Sequence, residues 1–280
     1  MKRKSPPKGP VPLPKHRGRV KAVAKCLARG CKGLMSMADI DYGSRLRVGL
    51  LMPSGNPIAE PEIRAMLPAG VSPLVTRLAL RGSSKPELLG MLEQLEPASS
   101  LLADAGVDVI VFHCTAVSTF APDLASEIRQ RVEAASNVKC FTTADAIIKA
   151  LRRLGAKRVT LLSPYISEVH EREISFLEAN GFAVEGSAHL GINTNAEMAR
   201  IAPDAIAEWA GDNINPRADA CFISCTAIRS APVISRLEQR GGIPVLTSNQ
   251  CMVWQLLRSN GIDMNPGGFG RLFSIAGSDE

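Results

Sequence analysis

The sequence predicts an α/β protein built from two pseudo-symmetric halves. Residues 108–118 read DVIVFHCTAVS and residues 219–229 read DACFISCTAIR, so Cys114 and Cys225 are equivalent at an offset of 111. The same offset relates an earlier run, RVGLLMP, to a later one, RVTLLSP. A fixed period of roughly half the chain indicates a duplicated unit.

From residue 46 onward, short apolar runs alternate with segments whose apolar residues recur every three or four positions. Continuous apolar runs are typical of buried parallel strands, and the alternation predicts parallel sheets covered by helices on both faces. The predicted strands span residues 46–52, 71–79, 107–112, 139–141, 158–162, 183–189, 220–224 and 244–246. The predicted helices span residues 57–65, 85–104, 122–135, 144–154, 166–180, 202–213, 232–239 and 251–259.

The repeat also predicts how the chain is divided. At an offset of 105, Phe141-Thr142-Thr143 corresponds to Leu246-Thr247-Ser248, and each triplet leads a helix. We expect the chain to cross between domains there and the final helix to pack back on the first domain. The predicted parts are a basic disordered extension, a first α/β domain completed by the C-terminal segment, and a second α/β domain, over residues 1–45, 46–142 with 248–275, and 143–247. Residues beyond 263 are Gly-rich and are expected to be loose.

The positive charge is confined to the N-terminal segment. The net charge is +6, but residues 1–34 hold 11 of the 33 basic residues and none of the 27 acidic ones, so the remainder carries −5. A Pro- and Lys-rich segment cannot bury enough apolar surface to fold alone. It could contact nucleic acid or act as a targeting segment, or it could be an extension upstream of a true start at Met35 or Met37. We favour the extension and expect no nucleic-acid partner.

Several classes of protein are disfavoured by what the sequence lacks. No apolar run approaches the roughly 18 residues of a membrane span, so no membrane partner is expected. The seven cysteines form no closely spaced framework, which is typical of the reducing cytoplasm. Neither a zinc-binding pattern nor a Gly-rich nucleotide loop is present, so we expect no metal and no cofactor.

The candidate catalytic residues are Cys114 and Cys225, each at the end of a predicted strand. Ligands bind outside the carboxyl ends of parallel strands, where helix N-termini favour thiolates and anions. The alternative is a pair of buried structural cysteines, but the symmetric repetition favours function. His113 is expected to be a packed histidine rather than a partner of Cys114, because neighbouring residues on a strand point to opposite faces. At other strand ends, Asn56 and Tyr165 are expected to contact ligand, although they could be a turn residue and a surface aromatic.

Together these motifs resemble the aspartate/glutamate racemase superfamily, in particular its maleate cis–trans isomerase and arylmalonate decarboxylase branch. The resemblance covers residues 46–263 and rests on the two cysteines, the PSGNPIAEPE stretch, the SPY triplet and the LGINTN run. Isomerases of this branch use both cysteines, whereas its decarboxylases keep only the second. Amino-acid racemases carry different residues after each cysteine from Thr115-Ala116 and Thr226-Ala227, which argues against recognition of an α-amino group.

The resemblance implies a cofactor-independent isomerase of a small dicarboxylate such as maleate. Cys114 would add to the double bond as a thiolate and Cys225 would supply the proton. The residues implied to bind substrate are Asn56, Thr115, Tyr165, Asn195, Thr226 and Ala227, and Arg229 could assist. A two-thiol racemase of an α-substituted acid and a decarboxylase of a substituted malonate remain alternatives, as does a non-catalytic carboxylate sensor. We also expect a homo-oligomer, either a dimer or a tetramer.

Overall fold

The computed structural model describes residues 40–275. Residues 41–275 belong to one compact unit. The predictions made for residues 1–39, which include most of the basic extension and two of the seven cysteines, lie outside the described residues. Among the described residues, no helix is long and apolar enough to cross a membrane.

Two four-stranded sheets form the framework, and every strand pair in them is parallel. The strand orders are β2-β1-β3-β4 and β6-β5-β7-β8, so the second sheet repeats the topology of the first. The strands are β1 (Leu46–Pro53), β2 (Val71–Leu78), β3 (Val109–Phe112), β4 (Cys140–Thr142), β5 (Arg158–Tyr165), β6 (Ala183–Ile192), β7 (Ala220–Ile223) and β8 (Val245–Thr247).

Helices connect successive strands, as the sequence predicts for a parallel sheet. The longer ones are α1 (Ala59–Met66), α2 (Lys85–Gly90), α3 (Leu95–Asp104), α5 (Leu124–Ser136), α6 (Thr143–Arg153), α7 (Ser167–Ala179), α9 (Pro203–Asn213), α10 (Ile234–Gly241) and α11 (Ser248–Ser259). Two single-turn helices lie after strand ends, α4 (Thr115–Ser118) and α8 (Asn195–Met198). Short 3₁₀ segments span Met91–Gln94, Ala231–Val233 and Arg271–Ser274.

The 111-residue repeat in the sequence corresponds to equivalent strand pairing in the two sheets. Val48 pairs with Val109 between β1 and β3, and Val159 pairs with Ala220 between β5 and β7, at the predicted offset of 111. The aspartate before each central strand has the same role in both halves. Asp108 accepts a hydrogen bond from the backbone N–H of Arg47, and Asp219 accepts one from that of Arg158. The prediction of two pseudo-symmetric α/β halves is therefore confirmed.

Helices α6 and α11 belong to the apolar core that both sheets share. That core contains residues of β1, β3, β5 and β7 together with α1 and both helices. Each helix starts with the same capping device, because Thr142 and Thr247 accept hydrogen bonds from the backbone N–H three residues later. The side chains of Asp145 and Gln250 bond back to complete a capping box in each case. The boundaries predicted for the domains stay a prediction.

The structure corrects several predicted elements. The helix predicted over 85–104 is interrupted by a 3₁₀ segment, because Pro97 has no N–H to bond the carbonyl of Glu93. Strand β6 continues three residues beyond its predicted end, pairing Ile192 with Tyr165 after a register shift. The last helix begins at Ser248 rather than at 251, where the cap places it.

The expectation of a loose C-terminal segment is wrong for residues 271–274. Leu272 and Phe273 are buried in the same core as α11. Arg258 of α11 also donates hydrogen bonds to the carbonyls of Phe273 and Ile275. The glycines before this segment suggested a flexible end, but the apolar pair after them docks on the core.

Replacing Leu272 with Ala should therefore lower the free energy of unfolding by about 3 kcal/mol, as expected for emptying a buried leucine site. Chemical denaturation measures this change. The matched control is Leu101→Ala, which removes the same atoms from a side chain that is 62% exposed. It should change stability by less than about 0.5 kcal/mol. Equal effects of the two substitutions would show that residues 271–274 are not part of the core.

Candidate active site

The two equivalent cysteines lie at the carboxyl ends of β3 and β7 and belong to one buried cluster. Cys114 and Cys225 are 4% and 2% exposed, and both are free thiols. They are close enough for the charge of Cys225 to contribute to the raised pKa of Cys114. The structure therefore brings together two sulfur atoms that are 111 residues apart in the sequence.

Cys114 is the N-cap residue of the single-turn helix α4. Burial raises the pKa of its thiol to about 12, and hydrogen bonds from the backbone N–H groups of Val117 and Ala116 oppose that rise. These groups are unpaired at a helix start and stabilise negative charge on the sulfur. The sulfur can therefore become a nucleophile once its proton is removed.

Cys225 has a different backbone from its counterpart. Its φ is +102°, a region that residues with a side chain rarely occupy, whereas φ of Cys114 is −147°. The turn directs the backbone N–H of Ala227 onto the Cys225 sulfur at 3.2 Å. Strain of this kind persists only where the surrounding structure holds it, and strained residues cluster at functional sites.

Tyr165, the last residue of β5, is the side-chain partner of Cys225. Burial raises the pKa of its hydroxyl well above the usual value of 10, so it remains a hydrogen-bond donor at neutral pH. Burial raises the pKa of the Cys225 thiol to about 12, and the hydrogen bond from Tyr165 lowers it in part. Met198 of α8 covers the same sulfur at 3.7 Å. The surroundings of Cys225 thus combine one donor hydroxyl with an apolar wall.

The residues after each cysteine tie the two halves together. The hydroxyl of Ser248 accepts hydrogen bonds from the Thr115 hydroxyl at 2.9 Å and from the backbone N–H of Cys225 at 3.1 Å. Across the site, the Asn56 amide donates to the Thr226 hydroxyl at 3.0 Å. Asn56 also accepts bonds from two backbone N–H groups at the start of α1, so it is both a turn residue and an inter-half contact.

Asn195 is the first residue of the single-turn helix α8, whose start is joined to the other half. Its backbone N–H donates to the carbonyl of Arg81, and Gly82 pairs with Thr194 in an isolated antiparallel bridge. Its side-chain nitrogen is near Gly55, where an added Cβ would be 3.4 Å away, and is buried with no hydrogen-bond partner among the described residues. An unpaired amide donor next to the Asn56 turn is suited to an anionic ligand.

His113 is buried and hydrogen-bonded, as its predicted packing role requires. Asn249 donates from its nitrogen to the Glu62 carboxylate at 2.6 Å and to the carbonyl of Thr226 at 3.3 Å. Its oxygen therefore accepts from Nε2 of His113 at 2.8 Å, and Nδ1 accepts from Thr143. Burial lowers the pKa of His113 to about 4, so the imidazole stays neutral and acts as a structural link.

Two buried carboxylic acids complete the site, although neither was predicted from the sequence to be a site residue. Glu62 on α1 and Glu173 on α7 are equivalent at the 111-residue offset. Burial raises the pKa of Glu62 to about 7 and that of Glu173 to about 8. The repeat could have identified them, because a glutamate recurs at the same position on two amphipathic helices.

The predicted site residues are thus assembled around the two thiols. Seven of the eight residues have the side-chain contacts or neighbours described above, and Ala227 contributes its backbone N–H. Arg229, by contrast, is exposed. Three further site residues were not predicted from the sequence, because they reach the site only through the fold: Ser248, Asn249 and Met198. Among residues 40–275, no group of three or more His, Cys, Asp or Glu side chains is placed to hold a metal ion.

Comparison with known proteins identifies relatives across most of the chain. A family model described as arylmalonate decarboxylase matches residues 48–273. Maleate isomerase of Geobacillus stearothermophilus is 30% identical over 228 residues, which cover 76% of this chain and 91% of the relative. Arylmalonate decarboxylase of Bordetella bronchiseptica is 32% identical over 143 residues, or 50% of this chain and 59% of the relative.

Solved structures agree with these matches. A mutant of the maleate isomerase from Pseudomonas putida S16, crystallised with maleate, superposes with a TM-score of 0.77 at 25% identity, covering 82% of this chain and 98% of that one. A mutant of Nocardia farcinica maleate cis–trans isomerase with a covalently bound succinylcysteine intermediate gives a TM-score of 0.77 at 27% identity, covering 81% and 98%.

The contrast in backbone between the two cysteines can be tested with glycine and alanine variants. At position 225, where φ is positive, Cys225→Gly should be more stable than Cys225→Ala by about 1 kcal/mol, because glycine relieves the strain. At position 114 the order should reverse, with Cys114→Ala more stable than Cys114→Gly by roughly 0.5–1 kcal/mol. Chemical denaturation of the four variants checks both signs. The same order at both positions would contradict a strained turn at Cys225.

Proposed function

Because the chain belongs to the arylmalonate decarboxylase family, we propose that it is a cofactor-independent cis–trans isomerase of a small dicarboxylate, with maleate as its substrate. The predicted resemblance to the maleate isomerase and arylmalonate decarboxylase branch is confirmed by the family match and the relatives. The prediction of an isomerase is confirmed by the same relatives. What is proposed is the identity of the substrate and the role of each residue.

The observation that carries the proposal is the pair of thiols in one closed site. Cys114 has backbone N–H donors at its sulfur, and Cys225 has a phenol and a further N–H. The two sulfurs therefore have unlike surroundings, which suits one nucleophile and one proton donor. A decarboxylase that keeps only the second cysteine would leave Cys114 without a role.

In the first step, the thiolate of Cys114 adds to one carbon of the double bond and forms a carbon–sulfur bond. The electron pair of the double bond moves toward the neighbouring carboxylate, and the thiol of Cys225 then donates its proton to the second carbon. The product is a succinyl thioether on Cys114 with Cys225 as the thiolate. A succinylcysteine intermediate in the Nocardia farcinica enzyme is of this chemical type.

In the second step, the former double bond is single and can rotate. Cys225 removes the proton from the second carbon, the carbon–sulfur bond breaks, and the electron pair reforms the double bond in the trans arrangement. Cys114 leaves as the thiolate and Cys225 regains its proton, so the enzyme returns to its starting state. The reaction consumes no cofactor, because the thiolate supplies the covalent chemistry.

Neutral donors would hold the two carboxylates. The candidates are the unpaired amide of Asn195, the Tyr165 hydroxyl, the Asn56 turn, and the Thr115, Thr226 and Ala227 segments beside the sulfurs. Pre-positioned donors of this kind stabilise charge that develops during the reaction. The predictions of a homo-oligomer and of a cytoplasmic location stay predictions.

Incubation with maleate in D2O should produce fumarate, which proton NMR detects directly. Turnover should fall below detection in Cys114→Ala, which lacks the nucleophile, and by about 10²–10⁴-fold in Cys225→Ala, which lacks the proton donor. Cys251→Ala is the matched control, because Cys251 is an equally buried thiol in the core of α11.

The same panel separates the alternatives. Aspartate, glutamate and other α-substituted acids would be incubated in parallel under the same conditions. Deuterium exchange at an α-carbon without fumarate formation would favour the two-thiol racemase. Release of carbon dioxide from a substituted malonate would favour the decarboxylase, and either result would replace maleate as the substrate.

Replacing Tyr165 with Phe should lower kcat for maleate by about 10²-fold, because the thiolate of Cys225 loses its donor. Steady-state kinetics measure the effect, and circular dichroism checks folding. The matched control is Tyr42→Phe, since Tyr42 is 76% exposed and should be without effect. An unchanged kcat in Tyr165→Phe would remove the phenol from the mechanism.

A further inference from the structure

Glu173 has an incomplete set of hydrogen bonds, although it is buried beside the site. The residue is 1% exposed, and its Oε1 accepts a bond from the Ser224 hydroxyl at 2.9 Å. Its Oε2 is buried with no partner among the described residues. An ionised carboxylate in such a place would have uncompensated charge, so the carboxyl favours its protonated form.

Its counterpart in the other half is better supplied with donors. Glu62 accepts from the Asn249 amide at 2.6 Å and from the backbone N–H of Ala231 at 3.0 Å, so both of its oxygens are bonded. The 111-residue repeat thus places two acids in equivalent positions and gives only one of them a full set of donors. This difference provides an internal comparison for the role of Glu173.

Glu173 also reaches the reactive groups. Ser224, its hydrogen-bond donor, directly precedes Cys225 and its strained turn. A negative charge on Glu173 would disfavour ionisation of Cys114, Cys225 and Tyr165, all of which it influences. The strongest influences on the two thiols among the described residues include no Lys or Arg that would offset this charge.

We propose that Glu173 is a positioning residue that holds the Cys225 turn through Ser224, and that it must keep its proton for the thiols to ionise and for a dicarboxylate to bind. The part of this inference that concerns dicarboxylate binding rests on the proposed function, because a dianion entering the same closed site would repel an ionised Glu173. The parts that concern the Cys225 turn and the ionisation of the thiols depend only on the protein's own groups.

The groups around Glu173 allow its ionisation to be followed separately. His170 on the same helix has its pKa lowered by burial and by His189 of β6, which stacks on it, so it is neutral above pH 7. Tyr165 and the two thiols have raised pKa values, that of Tyr165 well above 10 and those of the thiols about 12. The guanidinium of Arg172, the preceding residue, contacts Glu168 and the ring of Phe120. Between pH 7 and pH 9, Glu173 titrates with a pKa of about 8 while Glu62 completes its titration with a pKa of about 7, so variants of both acids are needed to separate them.

The test compares alkylation of Cys114 by iodoacetamide in the wild type and in Glu173→Gln, quantified by mass spectrometry from pH 6 to pH 9.5. Glutamine keeps an acceptor for Ser224 but cannot ionise. The ratio of the variant rate to the wild-type rate should be constant up to pH 7 and rise about threefold or more by pH 9.5, because only the wild type gains a charge. A constant change in folding or access would scale this ratio equally at every pH. A ratio that does not depend on pH would overturn the proposal.

Two further variants test whether the pH dependence of alkylation is due to Glu173. Glu62→Gln is the matched control. Its alkylation rate relative to that of the wild type should change only at pH values below 8, if at all, because the pKa of Glu62 is about 7. Ser224→Ala removes a hydrogen bond that lowers the pKa of Glu173. In this variant, the pH at which ionisation of Glu173 begins to slow the alkylation of Cys114 should therefore be higher than in the wild type. If the pH at which alkylation slows is unchanged in Ser224→Ala, the charge belongs to another group. The same conclusion holds if the slowing is lost in Glu62→Gln rather than in Glu173→Gln.

The substrate arm uses maleate. The wild-type KM should rise about tenfold from pH 7 to pH 9 as Glu173 loses its proton, whereas KM of Glu173→Gln should change less than about twofold. A parallel rise in both proteins would refute the link between Glu173 and dicarboxylate binding. If the alkylation ratio responds as expected and maleate is not turned over, the proposed function fails while the control of the thiols by Glu173 stands.

Discussion

The apolar core shared by the two sheets is the constraint on which the rest of the structure depends. It contains the core-facing residues of β1, β3, β5 and β7 together with α1, α6 and α11. Burying these surfaces against one another fixes the two halves as a unit, because any displacement would expose apolar side chains to water. The carboxyl ends of β3 and β7 are thereby brought to one place, and with them the two thiols. Cys114 and Cys225 themselves belong to a second apolar cluster that also contains residues of both sheets, so the packing that joins the halves extends into the site.

Polar links between the halves refine what the core fixes. Ser248 joins the first cysteine segment to the backbone of the second cysteine, and Asn249 connects His113 to the loop after Cys225. Both residues lie in the first turn of α11, whose position is set by the Thr247 cap. Buried hydrogen bonds that are fully satisfied give a site one geometry rather than several. The capped helix therefore serves both the core and the active site.

Duplication produced equivalent positions, and divergence between them gave the site its asymmetry. Cys114 caps a helix turn with an ordinary backbone, whereas Cys225 lies in a strained turn beside a phenol. Glu62 has donors on both oxygens, whereas Glu173 has a donor on only one. A symmetric pair of thiols would have no reason to divide the roles of nucleophile and acid. The unlike surroundings supply that reason.

The amino-acid sequence alone is enough to predict the α/β class, the two halves, the equivalence of Cys114 and Cys225 and the position of most strands. These features are local or periodic, since apolar patterning and a fixed offset are visible without knowing what touches what. Strand-end positions identified Asn56 and Tyr165 as candidates, and the resemblance to a known branch then added Asn195. The break near Pro97 is also encoded locally, because a proline within an apolar pattern interrupts helical hydrogen bonding.

Which residues meet in the site depends on the packed fold. The bonds of Ser248 to Thr115 and of Asn249 to Glu62 span more than a hundred residues, and no local pattern predicts them. The docking of Leu272, the strain at Cys225 and the missing partner of Glu173 are likewise properties of the packed molecule. Burial and hydrogen-bond satisfaction depend on all neighbours at once, so the protonation of each site group could be argued only after the halves had been brought together.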